Sequence, residues 1–178
     1  MEFQKVEDEL KKYRELYSAL AYQMNTCDCN SINNPSCECS AREAVREEIN
    51  FLVEKVLGYI EDKEVIRIKC GIHKVVPIKE RCDEEIKFLF KAQPPESSVS
   101  DWDIDESCTR AIKGNSSLLI ITNGKIFRLY AVGDIDGERI QELIFEYNLL
   151  HDDLKLVCND LWCLCRKDCG RKIVVDFA

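Results

Sequence analysis

With 25 basic and 33 acidic residues in 178, the chain carries a net charge of −8. That balance excludes a strongly positive overall field for phosphate backbones or anionic lipid. The length suits one domain with room for a sizeable core. The N-terminus is charged from its second residue, and no apolar run approaches the roughly 18 residues of a membrane span. The expectation is a soluble, cytoplasmic protein without a secretory signal.

Phe3, Val6, Leu10, Tyr13, Tyr17, Leu20 and Met24 recur at alternating spacings of three and four, which predicts an amphipathic helix. Its stripe can lie on its own domain or form a coiled-coil seam for a homodimer. Tyr13 and Tyr17 favour the first, because a tight seam prefers aliphatic residues. The helical pattern stops at CDCNSINNPSCEC, rich in Asn and Pro. It resumes at Ser40, which with Glu43 forms a capping-box pair. Ala41, Val45, Ile49, Leu52, Val53, Val56 and Leu57 continue as one apolar stripe up to Gly58. Two helices joined by a cysteine-bearing loop make an antiparallel hairpin.

From Val65 the period shortens. VIRIK, HKVVPI and IKFLFKA are β-rich runs and predict three consecutive strands, with Pro77 marking an edge or a bulge. QPPESSVSD is a polar loop, and a short helix over roughly Ile104 to Ile112 follows. Leu118 to Ile121 and Ile126 to Val132 flank Asn123-Gly124. This is the signal of a type I′ hairpin, with positive φ at both central residues. Both arms are apolar on both faces, so the hairpin belongs inside a sheet covered on each side. Asp134 to Gly137 is then expected to turn into a helix carrying Ile140, Leu143, Ile144 and Tyr147, and IVVDF to end the chain as a strand.

Eleven cysteines stand out. An odd number in clusters, in a chain without a signal peptide, points to metal more than to a disulfide framework. Cys27, Cys29, Cys37 and Cys39 offer four thiolates around an Asn/Pro turn. A disulfide within Cys-x-Cys is poorly matched in geometry, whereas four thiolates close a tetrahedral structural zinc shell. Cys158, Cys163, Cys165 and Cys169 offer a second set, although the apolar residues between them fit packed core cysteines equally well. Two structural zinc ions are therefore expected, with an iron-sulfur cluster as the alternative at either place. Cys70, Cys82, Cys108 and His73 would complete a third set, weighed against ordinary buried cysteines. Trp102 and Trp162 read as packing anchors.

The string IITNGKIFRLY, preceded by REAVREEINFLVEKVLGY and IKFLFKA and followed by ELIFEYNLL, resembles the N-terminal domain of type I restriction enzyme R subunits, within the PD-(D/E)XK nuclease superfamily. The resemblance covers roughly 41–157 and implies a restriction-endonuclease-like mixed β-sheet flanked by helices, of α+β or α/β class. Residues 1–40 would add the amphipathic helix and cysteine loop, and 158–178 a cysteine-rich extension. Family members hold magnesium with an aspartate on one strand and the glutamate of E-x-K on the next, and the lysine helps to position or activate the attacking water. Lys91 stands where that lysine would be. Leu89 occupies the glutamate position, and no acid stands around Val75 to Pro77. The resemblance thus implies a nuclease-like domain without its catalytic centre, left with a surface that binds nucleic acid or a protein partner. Lys91, Lys125 and Arg128, with Lys87 and Lys113, are the candidate basic strip for nucleic acid. The alternatives are an active magnesium-dependent nuclease using Asp83, Glu85 and Lys91, with help from Glu47 or Glu48, and a zinc-built interaction module dimerising through the first helix. The bland reading of those acids is a solvated turn and a polar helix face.

Overall fold

The computed structural model describes residues 3–25, 47–48, 50–59, 66–68, 73–79, 85–93 and 98–165. Cys27, Cys29, Cys37, Cys39, the Ser40 and Glu43 pair, Cys70, Cys82, Asp83, Cys169 and the IVVDF tail lie outside the described residues.

The class is mixed α and β. Six strands, β1 (Ile66–Ile68), β2 (His73–Lys79), β3 (Glu85–Ala92), β4 (Leu118–Thr122), β5 (Ile126–Ile135) and β6 (Glu138–Asn148), form one sheet in chain order. Every neighbouring pair is antiparallel except β3 and β4, which run parallel. A parallel pair needs a crossover, and helix α3 (Asp101–Lys113) supplies it. Pro77 lies beyond the end of β1, whose last partner on β2 is Val75. Pro77 is paired with Lys87 of β3 on its other side, so it lies where β2 has a described neighbour on one side alone, the edge setting expected for proline.

Helix α1 (Phe3–Asn25), α2 (described over Phe51–Val56, where it is wound as a π-helix) and α4 (Leu154–Cys163) cover one face. Phe88, Phe90, Leu118, Ile120, Phe127 and Leu129 point into that core. On the other face Leu89, Leu119, Ile121, Tyr130 and Val132 pack against Ile104, Cys108 and Ala111 of α3. Strand β4 is buried at all five positions, which explains its unbroken apolar run. Fully burying each Leu or Ile there contributes about 1.5–3 kcal/mol. The sheet covered on both sides, expected from the hairpin arms, is observed. The stripe of α1 faces this core: Val6, Leu10, Tyr13 and Tyr17 are buried, and Phe3 meets Trp162 edge to face at 5.9 Å. The boundary expected between residues 157 and 158 falls inside α4, whose Val157, Cys158 and Leu161 belong to the same core. Among the described residues no helix is long and apolar enough to cross a membrane.

Two expectations are corrected. The segment after Asp134 is the strand β6, not a helix. Asp136 and Gly137 both take positive φ (54° and 83°) and join Ile135 to Glu138, so the type I′ hairpin lies here, with Asp-Gly at its centre. The 3.6-residue spacing of Ile140, Leu143, Ile144 and Tyr147 arises from a β-bulge: Leu129 pairs with Phe145 and Tyr130 with Leu143, leaving Ile144 as an extra residue that breaks the alternation. The Asn123-Gly124 turn is not type I′. Only Gly124 has positive φ (81°), while the Asn123 side-chain oxygen accepts from the N–H groups of Lys125 and Ile126. Asn123 serves as a local hydrogen-bond acceptor, which is the other use of asparagine in turns.

Candidate functional site

The chemistry-bearing side chains gather around the ends of β3 and β4 where Ala92 pairs with Thr122. Lys91 follows Leu89 on the face covered by α3, which places its side chain under that helix. Its ammonium lies 3.2 Å from Asp103 and 3.7 Å from Glu106, and only 8% of the side chain is exposed. Glu106 also pairs with Arg110 one turn further along α3. Asp103 is the third residue of α3 and closes a capping box: its carboxylate accepts from the Ser100 N–H (3.1 Å) and hydroxyl (2.5 Å), while its own N–H donates to Ser100 Oγ. Partial burial alone would raise the Asp103 pKa. The Ser100 hydrogen bonds, with help from Lys91, outweigh it and hold the carboxyl down to about 2.

The basic strip is only partly assembled. In the registers across the sheet Lys91 lies beside Ile121, Ile121 beside Arg128, and Arg128 beside Glu146. Lys91 and Arg128 therefore share a face with one strand between them. Each is ion-paired within the chain, Lys91 to α3 and Arg128 to Glu146. Burial opposes the Arg128 charge, but the hydrogen bond that it donates to Glu146 outweighs it and its pKa is raised. Lys125 stands apart in the β4–β5 turn, half-buried. Lys113 is exposed at the end of α3.

Among the described residues, the acids proposed as substitutes do not converge on Lys91. Glu85 stands six residues away along the extended strand β3, a separation of roughly 20 Å at strand rise. Glu47 is exposed. Glu48 belongs to the opposite side of the sheet and is not on a solvated face: it is fully buried against α1, and neither carboxyl oxygen has a hydrogen-bond partner. Glu48 Cδ and the rings of Tyr13 and Tyr17 crowd against Gly124, where even a methyl group would come within 3 Å of all three. The Tyr13 hydroxyl donates to the Gly124 carbonyl at 2.8 Å. Burial pushes the Glu48 pKa well above the usual carboxylate range, which favours its protonated form. Sequence alone concealed this, because Glu48 stands in the charged run Arg46-Glu47-Glu48.

The second cysteine set is split by α4. Cys158 and Cys165 are buried, Cys163 is half-buried, and Cys108 is buried on the sheet-facing side of α3. Cys158 lies within α4, Cys163 is its last residue and Cys165 lies two residues past it. Burial, followed by the nearby Glu7, raises the Cys158 thiol to about 11. Cys165 lies 3.5 Å from the carbonyls of Val56 and Leu161. Among the described residues no group of three or more His, Cys, Asp and Glu side chains is placed to hold a metal ion. No family model, no curated protein and no solved structure matches the chain.

Proposed function

We propose that the chain is a restriction-nuclease-like scaffold without a working catalytic centre, braced by structural zinc at Cys27, Cys29, Cys37 and Cys39, and serving as a protein-binding module. The observation that carries this reading is the fate of the E-x-K position. Leu89 is core, and the charge of Lys91 is neutralised by Asp103 and Glu106 from the crossover helix. A lysine bound in this way braces α3 against the sheet and is not free to position a water molecule. The same observation weighs against nucleic acid as the partner, since Lys91 and Arg128 are paired and the net charge is −8. The order of strands, a helical crossover and a parallel fourth strand support the nuclease-like comparison.

One observation favours a second reading. A lysine with two carboxylates within 4 Å has the composition of a magnesium-dependent phosphodiesterase site, with the acids moved from β3 to α3. Purified chain with magnesium or manganese, incubated with single-stranded and duplex DNA and RNA, separates the two. The expected result is no cleavage, and no binding with the steep salt dependence of phosphate contacts. Cleavage that disappears in Lys91→Ala overturns the proposal in favour of the active enzyme. Salt-sensitive binding without cleavage makes nucleic acid the partner.

A further inference from the structure

Glu48 poses a question that the binding-module reading does not answer. An acid with both oxygens buried and unpartnered retains a full desolvation penalty even when neutral, because its O–H and carbonyl both lack partners. Ionised, it would be far more costly. What buries it is a long-range contact. Helix α1 crosses the Asn123-Gly124 turn, and the Tyr13 and Tyr17 rings close over Glu48 and Gly124. The neighbouring stretch of α1 has separate anchors. Phe3 rests on Trp162, and the Arg14 guanidinium donates to the carbonyls of Leu149 (2.6 Å) and Asp152 (2.7 Å). The helix is therefore tied over its first half by these contacts, and Tyr13 and Tyr17 seat it beside an unsatisfied acid.

We infer that α1 is a displaceable strap: its seat on the Asn123-Gly124 turn is complete only while Glu48 carries a proton, and loss of that proton lifts the Tyr17 half of α1 off the sheet. The proton passes to solvent as the carboxylate becomes hydrated. The titratable groups facing Glu48 from α1 are Tyr13 and Tyr17. Burial first, then Glu48 and Tyr17, hold the Tyr13 phenol well above its ordinary range, so it remains protonated while Glu48 titrates. The turn contributes the Gly124 backbone, with Lys125 half-exposed beside it. From α2 the facing ring is Phe51, 5.8 Å from Tyr13. Glu54 and Lys55 lie further along α2, and among the described residues burial is what shifts Glu48.

Because the closed form raises the pKa of an acid, it is favoured at low pH. It weakens from the ordinary glutamate value of about 4.3 up to the closed-state value. Amide exchange on the full chain tests this, with rates corrected for the intrinsic pH dependence of exchange. Protection of peptides covering Tyr17 to Asn25 is expected to fall about tenfold per pH unit above about pH 5, while peptides from β4 and β5 keep theirs. Glu48→Gln should flatten the α1 profile. A flat wild-type profile overturns the inference whether or not the variant folds. So does a parallel loss of protection in β4 and β5, which would mean global unfolding. An equal slope in Glu48→Gln, with the sheet still protected, overturns it as well.

Discussion

Alanine in place of Gly124 meets two separate penalties, and a second glycine separates them. Gly124 has φ of 81° and Gly137 of 83°, so alanine at either position costs about 1 kcal/mol for the left-handed backbone. At Gly137 nothing lies within 4 Å of the added methyl group. At Gly124 the methyl group would sit 2.7 Å from Tyr17 Cε2 and 2.9 Å from both Glu48 Cδ and the Tyr13 hydroxyl. Overpacking in a buried site costs about 1–3 kcal/mol, and here the only escape is a shift of α1. Gly124→Ala should therefore cost about 2–4 kcal/mol against about 1 for Gly137→Ala. For a chain of this size the difference corresponds to a Tm gap of roughly 3–10 °C. Thermal and urea unfolding of the two variants, followed by circular dichroism, measures it. Equal losses would refute the close packing of α1 on the turn, and with it the burial of Glu48.

Ser100→Ala removes the hydroxyl half of the capping box and should cost about 1 kcal/mol in urea unfolding, with α3 fraying first; no loss would mean that Asp103 caps the helix alone. Asp103, held down to about 2, supplies stability that is present above the ordinary aspartate value of about 3.9 and is lost as pH falls through the folded value. Allowing for solvent screening at this partly exposed residue, the loss between about pH 4 and 2 is about 1 kcal/mol, and an acid titration of Asp103→Asn should lack it. Lys91→Met leaves two carboxylates facing each other and should destabilise by about 1–3 kcal/mol; a neutral or stabilising result would show that the lysine does not brace α3. Elemental analysis of chain purified without added metal should find at least about one zinc, unchanged in Cys158→Ala. A zinc loss in that variant would show that Cys158 is a ligand.

The strands were legible wherever both faces are buried. The run at Leu118 to Ile121 could only be a central strand, and the three runs before it had turn residues on each side. Strand β6 was not legible, because a single extra residue, Ile144, converts a two-residue alternation into a helical spacing. The Asp136-Gly137 pair was the signal that resolves the ambiguity, since it is a type I′ pair between β-rich runs. Lys91 was correctly singled out as unusual, but its partners lie across the crossover, 12 and 15 residues further on. Glu48 was hidden for the same reason: its burial depends on Tyr13 crossing a turn 111 residues away. Local pattern exposes strands, but only assembly decides which polar group loses its water.

The bulge in β6 also limits how molecules can meet. An edge strand invites a copy of itself, and in an antiparallel match residues directly opposite must lie on the same face. On one side of the bulge Arg139, Gln141 and Leu143 share a face with Val132 and Tyr130. Beyond it, Glu146 returns to that face opposite Arg128. A regular strand without a bulge laid alongside agrees in face on one side of Ile144 and disagrees on the other, in every register that spans it. Glu138, Glu142 and Glu146 add like charges along the same rim. The opposite rim, β1, is only three residues long. Among the described residues β1 and β6 are the two rims of the sheet, and a regular strand finds no continuous match along β6.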